Sequence, residues 1–438
     1  MHKKTVIISF ILIHAIVFAD VPTNRQIKPL PPRLKSLEEE LIYDSKKTEE
    51  IFYKRGKVYD EKEAIDYINK IGSKIWPNTY LDKNINLNVK IIRDPVVNAF
   101  AMPNGSIYIH TGALARLENE AQLAYLLGHE ISHIINRDSV YNTQSWHNKT
   151  ICYKLVDIIL APTSIFFGIL GDLTQLGFFL LHAATITGYG RKIEARADKD
   201  AVRWAVEAEY DPQKAIGIIE IFLSEKDKYQ KGQEIFFLMS HPKSEWRLKE
   251  MQELISKECA KIRKGKIRSE EFLKIMTKIK LYNATLNIKI DRLEHANDNI
   301  QWILQEFPNN PEAHYLAGEI YRLKAEDKNK LKDELSYEKW KELNKGYKKD
   351  QLEKIWLEEA MKKYNRAIEC DPEYPHSYKG LALLYNYKND KKQTLEKLKK
   401  YLDINPDARD KRYIMSLIKR VSEEEQTDKS RKKRRRKR

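Results

Sequence analysis

The residues that most restrict this chain are Gly128 to His133, G-H-E-I-S-H, set in a helical pattern from about Glu118 to Asn136. Two histidines four apart lie one above the other on a helix face, so both imidazoles can reach one metal ion. Glu130, next to the first histidine, then stands beside the vacant coordination position. The flanking residues are apolar, and burying two histidines and a carboxylate among them without a metal would be costly. A catalytic zinc needs a third protein ligand and keeps a fourth position open. Arg191-Lys-Ile-Glu194-Ala-Arg-Ala-Asp198 supplies a candidate. Glu194 and Asp198 share a helix face, so Glu194 can coordinate while Asp198 accepts a proton from the outer nitrogen of a ligating histidine. Alone, that spacing reads as a solvent-facing charged helix, with Arg191, Lys192, Arg196 and Lys199 close by. After H-E-x-x-H, it reads as a ligand and its partner. The expected metal set is His129, His133 and Glu194 around one Zn2+, with Glu130 as general base.

The surrounding segments suit a small sheet among helices. Ala64, Ile65, Tyr67, Ile68, Ile71 and Ile75 recur at helical spacing, and Ile85 to Ile92 alternates apolar and polar as a strand does. Asn98-Ala-Phe-Ala-Met102, the turn Pro103-Asn-Gly105 and Ser106 to Thr111 predict a hairpin. From Ile151 to Thr187 the chain is strongly apolar but broken by Pro162 and Asp172. Each piece is short for a bilayer span, which leaves a buried helical hairpin or a hydrophobic flap ahead of a membrane hairpin.

At 438 residues, two or three domains are expected. Lys3 and Lys4, the apolar run Val6 to Ala19 and Val17-Phe18-Ala19 read as a cleaved export signal over 1–19. Residues 20–60 read as a linker with a short helix, and 61–260 as the metal-binding domain. Cys152, Cys259 and Cys370 allow at most one disulfide and read as buried small residues rather than ligands. From about residue 270 the chain repeats. Asp371-Pro372 and Asn405-Pro406 are 34 residues apart, with Ala360, Tyr364, Ala367, Tyr378, Ala382 and Tyr385 at tetratricopeptide positions. Ala313, Gly318 and Tyr321 mark an earlier unit, so three units are expected over 270–418, one interrupted by a charged insertion at about Glu326 to Lys354. The net charge is +16, and nine of the last ten residues are Lys or Arg. That run, within a charged tail over 419–438, cannot fold by itself. It reads either as a solvated tail or as an attachment to an anionic surface, and nucleic acid is disfavoured because no aromatic residues interleave with the charges.

These pieces together resemble the zinc peptidase family that includes HtpX, the prenyl-protein (CAAX) proteases and BepA-like periplasmic proteases. The matching residues are Asn98-Ala-Phe-Ala101, Gly128 to His133, Arg191-x-x-Glu194-x-x-Ala-Asp198, and Ser240-His241-Pro242 with Arg247. The order of export signal, catalytic domain and C-terminal repeats is similar to the BepA-like arrangement. The resemblance implies metal-assisted peptide hydrolysis with Glu130 as base, and a substrate lying extended along Asn98, Ala99, Phe100 and Ala101. It also implies that His241 can approach the metal as a regulatory fourth ligand; the residues alone read equally as a turn histidine. Arg247 either stabilises the developing oxyanion or braces its loop, and bracing is preferred because no spacing argument places it at the metal.

The expected architecture is α+β, a mostly helical metallopeptidase domain followed by an all-α tetratricopeptide solenoid. The expected function is an endopeptidase of the Gram-negative periplasm, peripheral to the membrane, acting on misfolded or stalled outer-membrane proteins. Its repeats would dock clients or the outer-membrane assembly machinery. The alternatives are a chaperone or scaffold with a latent site and, less favoured, a membrane-embedded processing protease.

Overall fold

The computed structural model describes residues 30–76, 85–147, 190–228, 244–258, 265–327, 329–345 and 349–436. The 1–19 export signal, the apolar stretch 151–187, Cys152, Cys259 and Ser240-His241-Pro242 lie outside the described residues. The chain divides into two compact units, with the boundary after Ile279. Among the described residues no helix is long and apolar enough to cross a membrane.

The first unit begins with α1 (Pro32–Lys54), where a linker with a short helix is expected. Leu34, Leu37 and Leu41 recur three and four apart, and this stripe packs with Phe52 against Ile92, Phe100, Met102, Tyr108 and Val140. A stripe of that length makes the segment part of the domain rather than a tether. Helix α2 (Lys62–Ile75) starts at Glu61, whose carboxylate accepts from the Ala64 N–H, and buries Ala64, Tyr67, Ile68, Ile71 and Ile75.

Strands β1 (Asn88–Ile92), β2 (Ala99–Ala101) and β3 (Ser106–His110) form one sheet in the order β1-β3-β2. β1 runs parallel to β3 with Asn88 opposite Ser106, and β2 runs antiparallel with Phe100 opposite Tyr108. The hairpin expected at Pro103-Asn-Gly105 is present, and Gly105 takes φ +88, a conformation that side chains disfavour.

After the short α3 (Thr111–Leu114), Asn119 caps α4 (Glu120–Ile135) by accepting from the Gln122 N–H. Every residue from Glu120 to Ile134 is buried. An amphipathic helix is expected from the pattern here, but the helix is enclosed on all faces. It stops at Asn136 and Arg137, and the chain turns into α5 (Asp138–His147). Helix α6 (Arg191–Glu207) lies against α4. The two backbones meet at Gly128, where an added Cβ would stand 3.0 Å from the Ala201 Cα. Helices α7 (Pro212–Ala215), α8 (Gly217–Lys228) and α9 (Ser244–Glu258) complete the unit with the first part of α10 (Glu270–Lys289).

The second unit is helical throughout its described residues: α11 (Leu293–Glu306), α12 (Pro311–Glu326), α13 (Asn329–Glu334), α14 (Tyr337–Asn344), α15 (Lys349–Cys370), α16 (Pro375–Tyr387), α17 (Lys391–Ile404) and α18 (Lys411–Arg436). α12 packs on α11 and α15, and α15, α16, α17 and α18 pack each on the next. Ala296, Ala313, Ala360, Ala367 and Ala382 are fully buried. Tyr364, buried as well, lies against both Gly318 and Gly380, where added Cβ atoms would come within 2.5 and 2.3 Å of its ring. The charged insertion is packed: Leu331 and Leu335 join Leu352 and Trp356 in the core of this unit. Cys370 is a half-buried free thiol. The basic C-terminus also differs from expectation, because α18 continues to Arg436. Lys and Arg are good helix formers, and they extend a helix already nucleated by the buried Ile414, Leu417 and Val421.

Candidate metal centre

Helix α4 supplies His129 and His133 on one face, and α6, brought close at Gly128, supplies Glu194. All three are buried. Their facing donor atoms lie within 4.8 Å of one another. His129 Nε2 and His133 Nε2 are 3.1 Å apart, and they stand 3.6 and 3.8 Å from the Glu194 carboxylate oxygens. Nitrogen and oxygen donors about 2.0–2.2 Å from a shared tetrahedral zinc stand about 3.4 Å from each other, so this set fits such an ion.

The outer ring nitrogens fix which nitrogen is free. His129 Nδ1 is 2.9 Å from Asp198 Oδ1, and His133 Nδ1 is 2.8 Å from Asp138 Oδ2. With each Nδ1–H donating to a carboxylate, both Nε2 lone pairs point at the shared position. Asp198 thus stands within reach of the outer nitrogen of His129. Asp138 was not anticipated, since it follows a chain reversal that no helical spacing extends through.

Arg247, on α9, is fully enclosed and donates to both Asp198 oxygens at 2.8 and 2.6 Å. Its Nη1 lies 3.2 Å from Glu194 Oε2. It braces the two carboxylates on α6. Tyr125, one turn before His129, donates to Asp198 at 2.6 Å. At the start of α4 a second buried carboxylate, Glu120, accepts from Tyr67 and Tyr210 at 2.6 and 2.7 Å, and from Lys266 and Ser269. This anchor was also missed, because its partners come from three distant segments.

The charges follow from burial and neighbours. Burial holds the His129 pKa down at about 3, which keeps a neutral, metal-ready imidazole. Burial lowers His133 too, but its hydrogen bond to Asp138 and the charges of Asp138 and Glu194 carry it above the ordinary value. Burial pushes Glu130 up to about 7, opposed by His133. Burial also raises Glu194 despite Arg247. Asp198 would rise on burial, yet the Arg247 guanidinium holds it well below the usual carboxylate range.

Ala99, Phe100 and Ala101 form the sheet's edge strand β2, which packs against α4. The Asn98 carbonyl accepts from His110 N–H and the Met102 N–H donates to Ser106, so ladder alternation turns the Ala99 and Ala101 backbone groups to the outer edge. Ala101 uses its backbone to hydrogen-bond Glu130. Asn98 is buried, and its Oδ1 has no hydrogen-bond partner among the described residues.

Fold and site together bring an H-E-x-x-H helix and a glutamate from a second helix to one buried point, a donor set that could hold a metal ion. Residues 67–255 match the model of Peptidase family M48. The chain is 30% identical over 164 residues to the mitochondrial metalloendopeptidase OMA1 of Schizosaccharomyces pombe, covering 37% of this chain and 45% of that protein. It is 27% identical over 192 residues to the beta-barrel assembly-enhancing protease of Escherichia coli, covering 42% of this chain and 37% of that protein. Against human OMA1 the identity is 41% over 51 residues, 12% of this chain and 10% of that protein. The chain thus spans less than half the length of each of these relatives.

Proposed function

We propose that this chain is a zinc-dependent metalloendopeptidase of the bacterial periplasm that hydrolyses misfolded or stalled outer-membrane proteins. The observation that carries the chemistry is the buried convergence of His129, His133 and Glu194 beside Glu130. A zinc ion held there supplies Lewis acidity to water and to the scissile carbonyl. Glu130 takes the proton from the attacking water and hands it to the departing amine, a transfer suited to a carboxylate with pKa near neutrality. Asp198 and Asp138 hold the two imidazoles in register, and Arg247 offsets the charge of Glu194 and Asp198. An extended substrate lies along the edge strand Ala99, Phe100 and Ala101 and pairs with its outward backbone groups, and Asn98 Oδ1 accepts a substrate N–H. His241 serves as a reversible fourth ligand that keeps the resting enzyme closed.

The second unit is read as tetratricopeptide repeats that dock clients or the outer-membrane assembly machinery. Its support is the packing of small residues against Tyr364 and the 34-residue spacing of Asp371-Pro372 and Asn405-Pro406. The basic end of α18 suits an anionic membrane surface. The location and the client class rest on the similarity to the Escherichia coli protease and on the N-terminal pattern.

The test is cleavage of an unfolded outer-membrane β-barrel protein by the purified chain, against Glu130→Gln of equal zinc content. Cleavage lost only in the variant supports hydrolysis at this site. Equal cleavage by both would sink the assignment of Glu130.

A further inference from the structure

Two aspartates serve the two histidines, but they reach them by different routes. Asp198 comes from the facing helix α6, within the motif that also supplies Glu194. Asp138 comes from the same chain segment as His133, five residues on, after a reversal. It is 2% exposed. Its Oδ2 meets both His133 Nδ1 at 2.8 Å and the guanidinium of Arg196, which lies on α6 between Glu194 and Asp198. The preceding residue, Arg137, sits at φ 53, a left-handed conformation uncommon for any residue but glycine and kept only where surroundings hold it. What holds it includes Glu38 on α1, whose Oε1 accepts from Arg137 Nε at 2.7 Å. Val140, at the start of α5, packs in the same core as Leu34 and Leu41 of α1.

We propose that Asp138 is the positioning residue for His133, and that the Glu38–Arg137 pair from the N-terminal helix holds the turn that delivers it. The Asp138 carboxylate keeps the proton of His133 on Nδ1 and leaves Nε2 free for the metal. Arg196 orients that carboxylate and ties it to the helix bearing Glu194. The N-terminal helix is thereby a structural support of the metal centre, although it lies outside the 67–255 match. This assignment rests on the proposed metallopeptidase reading and adds the residues that set the affinity of its site.

The experiment measures zinc dissociation constants on the full chain by chelator competition, with absorption spectra of the cobalt(II)-substituted protein alongside. The variants are Asp138→Ala, Asp138→Asn, Glu38→Gln and the exchange Glu38→Arg with Arg137→Glu. Loss of an outer carboxylate from a ligating histidine weakens metal binding about 10- to 100-fold, and this is expected for Asp138→Ala together with shifted cobalt bands. Asp138→Asn should fall between, because its amide oxygen still accepts from Nδ1–H but carries no charge. Glu38→Gln should weaken zinc roughly two- to fivefold, the weight of a peripheral ion pair, and the exchange should restore part of it. If Asp138→Ala does not fold, Asp138→Asn and Glu38→Gln decide the matter. A lowered melting temperature of the metal-free variants, with zinc affinity and cobalt spectra of the wild type, overturns the proposal and leaves Asp138 as a partner of Arg196 only. Wild-type protein that takes up neither ion overturns the metallopeptidase reading, and this assignment with it.

Discussion

Helix α4 and the helices of the second unit bury polar groups for opposite ends. In α4, enclosed on every face, Glu120, His129, Glu130 and His133 lie in the interior. Most of their partners are long-range, namely Asp198, Tyr67, Tyr210 and Lys266, and Asp138 comes from close by, five residues beyond His133. In the second unit polar groups cap helix starts instead. Asn310 and Asp390 accept from N–H groups three residues on, at the starts of α12 and α17. Glu334, from the charged insertion, accepts from the N–H groups of Glu294 and His295 at the first turn of α11. Burying charge is costly unless it is paired, so the two arrangements mark different roles. Caps close a helix by accepting from its unpaired first-turn N–H groups. The α4 cluster gathers several charges at one point, which is what a metal and a proton transfer require.

The largest effect that sharpens this contrast is expected at Glu130. Glu130→Gln should lower kcat/KM about 10²- to 10⁴-fold with zinc content unchanged. Because burial pushes this carboxyl up to about 7 and it must be ionised to act as a base, wild-type activity should fall as pH drops below neutrality. A bound cation favours the ionised form, so the acid limb of the pH–rate profile should lie at or below pH 7. The limb should vanish from the residual activity of the variant.

Next comes Arg247. Removing it leaves Glu194 and Asp198 buried without their cation. Arg247→Ala should destabilise the first unit by about 3–5 kcal/mol when metal-free. Thermal melting with zinc should show a smaller loss, because the ion compensates the same carboxylates. An equal loss with and without zinc would break the link between the ion pair and the metal.

Glu120 tests whether a charge in α4 can be purely an anchor. Burial alone would raise its pKa, but donation from Lys266, Ser269, Tyr67 and Tyr210 holds it at about 2, below the ordinary 4.5. A carboxyl lowered on folding contributes stability above pH 4.5, and that contribution is lost as pH falls from about 4.5 towards 2. Glu120→Gln should cost about 2–4 kcal/mol at pH 7 and flatten the acid dependence of denaturant unfolding over that window, while zinc affinity changes little.

The smallest effect belongs to the second unit. Gly318→Ala puts a methyl 2.5 Å from the Tyr364 ring, which Gly380 confines on its other side. Melting should report a loss of about 1–3 kcal/mol without altered zinc binding.

The catalytic segment was legible where chemistry and helical period coincide. His129, His133, Glu194 and Asp198 are spaced so that any helix presents them on single faces, and Asn98 to Thr111 carries its own turn. Asp138 and Glu120 were not legible: one follows a left-handed turn, and the other depends on residues up to 149 positions away. Helix α1 was underestimated because its charged face hides the Leu34, Leu37 and Leu41 stripe. The C-terminal basic run was read as unable to fold by itself, and the helix that precedes it carries it on to Arg436.

What the sequence determined by itself is the donor set: which side chains can bind a metal, which can carry a proton, and which helices present them. Periodicity is a local property and survives without knowledge of the fold. What only the tertiary structure decided is which carboxylate meets which ring nitrogen, that Arg247 stands at the centre, and that the N-terminal helix supports the turn at Arg137. Those contacts depend on how closely backbones approach, as at Gly128 and Ala201, and that distance is fixed by packing across elements remote in the chain.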